Sequence, residues 1–202
     1  RGVDLEADDG VKRAHKKIDE ETSGYGFYGR RRLLTGALRI SRNIAPEVAS
    51  AVDQCREVLG FTQPIELYIK PDPMYGAFVM KQTVGPLSMA LTSRIVEGFS
   101  PAELRFVIGH EMGHALFDHM ALPMPLTAMI EDLAGTLVSR ATALDLYLWC
   151  RSAELSADRA GLLCARDLHA AASSFLKLSS GLSTVNPTAD LTHYYSHIDS
   201  LA

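Results

Sequence analysis

Ser100-Pro101-Ala102-Glu103 is the firmest local instruction in this chain. A serine ahead of proline with glutamate three places on is a reciprocal cap. The hydroxyl accepts from the third helical amide, the carboxylate accepts from the serine's own amide, and proline's fixed φ suits the first helical position. A helix therefore starts at Pro101, and Leu104, Val107, Ile108, Ala115 and Leu116 carry its apolar spacing to about His119. His110-Glu111-Met112-Gly113-His114 then falls in mid-helix. Residues four apart there differ by about 40° and about 6 Å of rise, so both imidazoles leave one face, with Glu111 on the flank of the same turn.

The rest of the chain supplies the setting. Val3 to Glu21 alternates charged and apolar residues and makes at best a surface helix, broken by Gly24-Tyr25-Gly26-Phe27-Tyr28-Gly29. From Pro46, the positions Val48, Ala51, Val52, Cys55, Val58 and Leu59 recur at three- and four-residue steps up to Gly60, which predicts a packed helix. Ile65 to Lys70, Tyr75 to Met80 and Leu87 to Thr92 read as short strands. After the capped helix the chain is alanine- and leucine-rich with helical spacing to about Leu182. Helix, small sheet, then helices is an α+β order. We expect one domain over 1–202: a helical N-terminal region (1–60), a small three- to four-stranded sheet (61–95) and the helices of 100–182.

Composition removes several function classes. A net charge of -4 gives no general attraction to nucleic acid or anionic lipid. The triplet Arg30-Arg31-Arg32 reads as a solvated face. The apolar stretch Met120 to Ile130 is cut by Glu131 and Asp132, so no transmembrane segment is expected. Cys55, Cys150 and Cys164 are odd in number and unpaired in spacing, which suggests neither disulfides nor a cysteine metal site. The start at Arg1-Gly2-Val3-Asp4 is neither an initiator methionine nor a signal peptide, which suggests a trimmed, processed or partly recorded chain, and the unpaired cysteines fit a reducing, cytoplasmic location.

Two histidines four apart on one helical face suit a single zinc ion per chain, with Glu111 near enough to deprotonate a water activated at the metal. A catalytic zinc takes a third protein ligand. His119 lies about 140° around a continued helix and points elsewhere. Asp118 shares the face of His110 and His114, yet three ligands over eight helical residues span about 12 Å and do not converge on one ion. Phe117 and Met120 exclude the three-histidine pattern HExxHxxGxxH. The remaining candidate is Glu154 in AELSADRAG, which shares a helical face with Asp158. One carboxylate can ligate, and the other can accept the outer N–H of a ligand histidine.

HEMGH, about forty residues, and then AELSADRAG resembles the gluzincin peptidases of metallopeptidase family forty-eight, the group of the HtpX-type and CAAX prenyl proteases. The likeness extends to Pro73-Met74-Tyr75-Gly76-Ala77-Phe78 and Leu87 to Ser93, similar to that family's edge strand and next strand, and covers roughly residues 61–182. It implies a zincin-like fold and a zinc metalloendopeptidase cutting protein or peptide substrates. By resemblance, His110, His114 and Glu154 are the zinc ligands, Glu111 the general base, Asp158 the partner of a ligand histidine, and Tyr75, Gly76, Ala77 and Phe78 the strand that pairs with substrate. The chain departs from the family in two respects. Leu122 to Cys150 is too charged for the transmembrane hairpin of the membrane members, which implies a soluble member. No His-Pro follows the glutamate helix, so the oxyanion partner is either His193, His197 or a neighbouring tyrosine, or lies beyond the chain. That absence, and an N-terminal region long enough to cover the cleft, motivate a second reading: a latent or non-catalytic zinc-binding regulatory or adaptor module.

Overall fold

A computed structural model of the chain describes residues 4–21, 33, 35–81, 85–122 and 138–186. The charged N-terminal stretch forms helix α1 (Asp9–Glu21). After strand β1 (Leu38–Ile40) comes α2 (Pro46–Leu59), with proline in its first turn and Gly60 closing it at φ 62°, a left-handed conformation that glycine adopts without steric cost. Strands β2 (Ile65–Lys70), β3 (Ala77–Met80) and β4 (Leu87–Thr92) follow, then a short helix α3 (Ser93–Gly98). Three longer helices complete the described chain: α4 (Pro101–Leu116), α5 (Arg140–Ala165) and α6 (Leu168–Ser180). The α+β arrangement expected from the sequence is the one observed.

The sheet runs β1-β2-β4-β3, with β2 parallel to β4 and the outer pairs antiparallel. All six residues of β4 are buried, as suits an inner strand covered on both faces. β1 is the strand missing from the sequence reading, because three residues are too few to show alternation. β3 occupies one edge and begins at Ala77, two residues later than expected. Tyr75 is instead turned inward, its ring 5.2 Å from that of Phe99 and beneath the Arg94 guanidinium. Pairing still reaches back to Gly76, whose carbonyl accepts from the Thr92 amide at 2.9 Å.

Helix α4 is the hub. Ile108 and Met112 are fully buried in a core shared with Val52 and Cys55 of α2, Met89 of β4 and Ile95 of α3. Against α5 the approach is closer than side chains normally permit. A methyl on Gly109 would lie 2.7 Å from Cys164 Cβ, one on Gly113 2.9 Å from Ala160 Cβ, and one on Gly161 2.6 Å from the Phe106 carbonyl oxygen. The glycine of HEMGH is thus required by helix packing. The three cysteines are free and buried.

The cap that opens α4 is present in both directions. Its glutamate has a further role. Glu103 also accepts from the Ser173 hydroxyl and from Lys177 Nζ at 2.9 Å, and Lys177 donates to the Gly98 carbonyl at 2.8 Å. This buried network ties the start of α4 to α6. Burial alone would raise the Glu103 carboxyl, but the hydrogen bonds from Ser173, the Ser100 amide and Lys177 hold it below the usual glutamate range.

The far end of α4 departs from expectation. The helix stops at Leu116, and Asp118 adopts φ 54°, a left-handed position that aspartate tolerates better than most residues. Its carboxylate pairs with Lys81 Nζ at 2.7 Å, off the face shared by His110 and His114. A 3₁₀ turn, His119–Ala121, then leads the chain back. Among the described residues, no helix is long and apolar enough to cross a membrane. Residues 123–137, in the interval between the two motifs, lie outside the described residues.

Candidate metal centre

Helices α4 and α5 bring His110, His114 and Glu154 together, with one donor atom of each lying within 4.8 Å of the others. The two Nε2 atoms are 3.0 Å apart, and Glu154 Oε2 is 3.4 Å from that of His110 and 3.8 Å from that of His114. A tetrahedral zinc with bonds of about 2.0–2.1 Å sets neighbouring donors about 3.3 Å apart, so this trio fits one such ion. The donor set also suits zinc chemically, since two imidazoles and a carboxylate leave a fourth position for water or substrate. Glu154 keeps 51% of its side chain exposed, which gives the cluster an open side.

The surrounding contacts fix the rings. Asp158, one turn after Glu154, has Oδ1 2.9 Å from His110 Nδ1, so an N–H there donates to it and leaves Nε2 for the cluster. Burial works against a charged His110, but hydrogen bonds with Asp158 and Glu154 and the charge of Glu111 prevail and push its pKa up to about 10. For His114, burial and the neighbouring His110 act together and bring the value down to about 4.

Glu111 is half-buried beside this pair. Desolvation pushes its pKa up to about 7, against the opposing influence of His110 and of a hydrogen bond from the Val79 amide. That bond joins α4 to the edge strand. Because the Thr92 amide bonds the Gly76 carbonyl, the backbone groups of Phe78 and Met80 face β4, whereas those of Ala77 and Val79 face the free edge. Of the four residues expected to present an edge, the backbone of Ala77 faces outward, that of Gly76 and Phe78 faces β4, and Tyr75 lies before the strand with its ring against Phe99.

His119 was not foreseen as part of the site. The early end of α4 folds it back against His114, with their Nδ1 atoms 3.0 Å apart, and its Nε2 is 3.1 Å from Ser156 Oγ on α5. Trp149 closes over it edge-on, with ring centres 6.0 Å apart. The aspartate before it, a residue that accepts left-handed backbone, is the one local signal of the turn. His193 and His197 lie outside the described residues.

A helix bearing two histidines and a glutamate, beside a sheet edge and opposed by carboxylates from a later helix, defines a zincin-like α+β domain of the metallopeptidase class. Residues 43–197 match the profile of peptidase family M48, and the chain belongs to that family. It is 28% identical over 151 residues to the plastoglobule-localized metallopeptidase 48, chloroplastic, of Arabidopsis thaliana, covering 72% of this chain and 44% of that protein. A protease HtpX homolog of Tropheryma whipplei (strain Twist) is 37% identical over 91 residues, 45% of this chain and 31% of its own length. One from Moorella thermoacetica is 32% identical over 79 residues, covering 39% and 26%. The chain thus spans less than half the length of these relatives. No solved structure matches it significantly.

Proposed function

We propose that this chain is a zinc metalloendopeptidase that hydrolyses peptide bonds in a protein or peptide substrate. The observation that carries the proposal is the convergence of His110, His114 and Glu154 beside a glutamate that is hydrogen-bonded to the edge strand. His110, His114 and Glu154 would hold the zinc, and Asp158 orients His110. A bound zinc supplies Lewis acidity toward the scissile carbonyl and toward water.

The chain's own groups account for the remaining chemistry. Glu111, its carboxyl poised near neutrality, takes a proton from the attacking water and delivers it to the leaving amide nitrogen. Ala77 offers an outward N–H and carbonyl to an extended substrate, which would add as a further strand along β3. The Val79 amide is already occupied by Glu111, so the edge aligns the base with the strand that receives the peptide.

Elemental analysis together with cleavage of a peptide library by the wild type and Glu111→Gln tests the reading. One zinc per chain in both proteins is expected, with activity lower by at least about a hundredfold in the variant. Full activity in zinc-loaded Glu111→Gln would remove the general-base assignment. A zinc-loaded wild type that cleaves nothing would instead favour the regulatory or adaptor reading.

A further inference from the structure

We infer that His119 is a positioning residue for His114, and that with Ser156 it forms a relay of hydrogen bonds deciding which nitrogen of His114 faces the metal. The inference rests on the zinc reading above. His114 Nδ1 lies 3.0 Å from His119 Nδ1, His119 Nε2 lies 3.1 Å from Ser156 Oγ, and Ser156 Oγ lies 2.9 Å from the Ala153 carbonyl oxygen.

The carbonyl end gives the relay its direction. A carbonyl oxygen only accepts, so the Ser156 hydroxyl donates its one proton to Ala153, and its oxygen must accept from His119. His119 therefore carries its proton on Nε2. A neutral imidazole has one N–H, which leaves His119 Nδ1 as an acceptor, and the proton between the rings belongs to His114 Nδ1. His114 Nε2 is then a bare lone pair, 3.0 Å from the Nε2 of His110. In the reverse direction His114 would carry its proton on Nε2, pointing at the position where a metal must sit. Both rings are buried, at 9% and 6% exposure, so water does not readily stand in for the missing partner.

The two histidines are thus held differently. His110 leans on a carboxylate, Asp158, while His114 leans on a neutral chain that ends on α5 backbone. Outer partners of metal-bound histidines typically contribute about 10–100-fold to metal affinity. Glutamine at position 119 has an oxygen to accept from His114 and an N–H to donate to Ser156, so it preserves the relay's direction.

The test measures zinc affinity by chelator competition, and the visible spectrum of the cobalt(II)-loaded protein, for the wild type, His119→Ala, His119→Gln and Ser156→Ala. Thermal melting of each metal-free protein is followed in parallel. His119→Ala should bind zinc about 10–100-fold more weakly and shift the cobalt bands. His119→Gln should recover most of that affinity, and Ser156→Ala should lose less than His119→Ala. Wild-type affinity and an unchanged cobalt spectrum in His119→Ala would overturn the role. So would a His119→Gln as weak as the alanine variant with melting lowered to match, which would make His119 a packing residue only. If the wild type itself takes up no zinc, the metal reading and this one fall together.

Discussion

Lys177 on α6 donates to Glu103 at the start of α4 across 2.9 Å, with only 10% and 6% of the two side chains exposed. An ion pair this sheltered contributes little over a well-packed apolar pair, but losing one partner leaves the other charge buried. Lys177→Met should therefore destabilise the protein by about 3 kcal/mol, and Glu103→Gln combined with it should recover part of that loss. Urea unfolding of the single and double variants decides the matter, and strictly additive effects would count against direct coupling.

The same network predicts an acid-side loss of stability. Glu103 titrates lower in the folded chain than its ordinary value of 4.5. Its contribution is complete above that value and is lost as pH falls beneath it through the folded pKa. The stability gap between wild type and Glu103→Gln, measured at neutral pH and at steps down into the acid range, should narrow on acidification. A constant gap would show that the Glu103 charge is not what the network stabilises.

The glycine seam makes a steric prediction. An alanine at Gly161 would place its methyl 2.6 Å from the Phe106 carbonyl oxygen, and backbone cannot give way as a side chain can. Gly161→Ala should cost about 2–3 kcal/mol and weaken zinc binding, since α4 and α5 must part to admit the methyl. Gly36→Ala, with nothing among the described residues within 4 Å, is the matched control and should change stability by less than about 0.5 kcal/mol.

Substrate pairing along β3 can be probed with one amide. Ala77→Pro removes an N–H that faces the free edge, where proline is tolerated, and leaves Glu111 and the zinc donors untouched. KM for peptide substrates should rise about 2–10-fold, the worth of a single hydrogen bond, with zinc content unchanged. An unaltered KM would place the peptide elsewhere.

What the sequence disclosed followed from how local each signal is. The cap at Ser100, the four-residue spacing of His110 and His114, and that of Glu154 and Asp158 are properties of single helices, and each is found where its spacing placed it. Glu103 was legible as a cap but not as the partner of Lys177, because 74 residues separate them and only the packing of α6 joins them. The direction of His119 differs from expectation for a related reason. Its expected direction assumed an unbroken helix, whereas the turn at Asp118 is accompanied by a pairing with Lys81, 37 residues away. β3 was displaced by two residues because the inward turn of Tyr75 depends on Phe99 and Arg94, which no strand pattern reveals.

Glu154, Ser156 and Asp158 fall within one five-residue stretch of α5, and between them they meet His110, His114 and His119. That concentration makes α5 a single lever on the centre. A slide along α4 by a fraction of its pitch of about 5.4 Å would withdraw Glu154, Ser156 and Asp158 from the three histidines in one movement. The methyl-free seam at Gly109, Gly113 and Gly161 lets the two helices lie this close, so the spacing of the cluster depends on three residues that are no part of it.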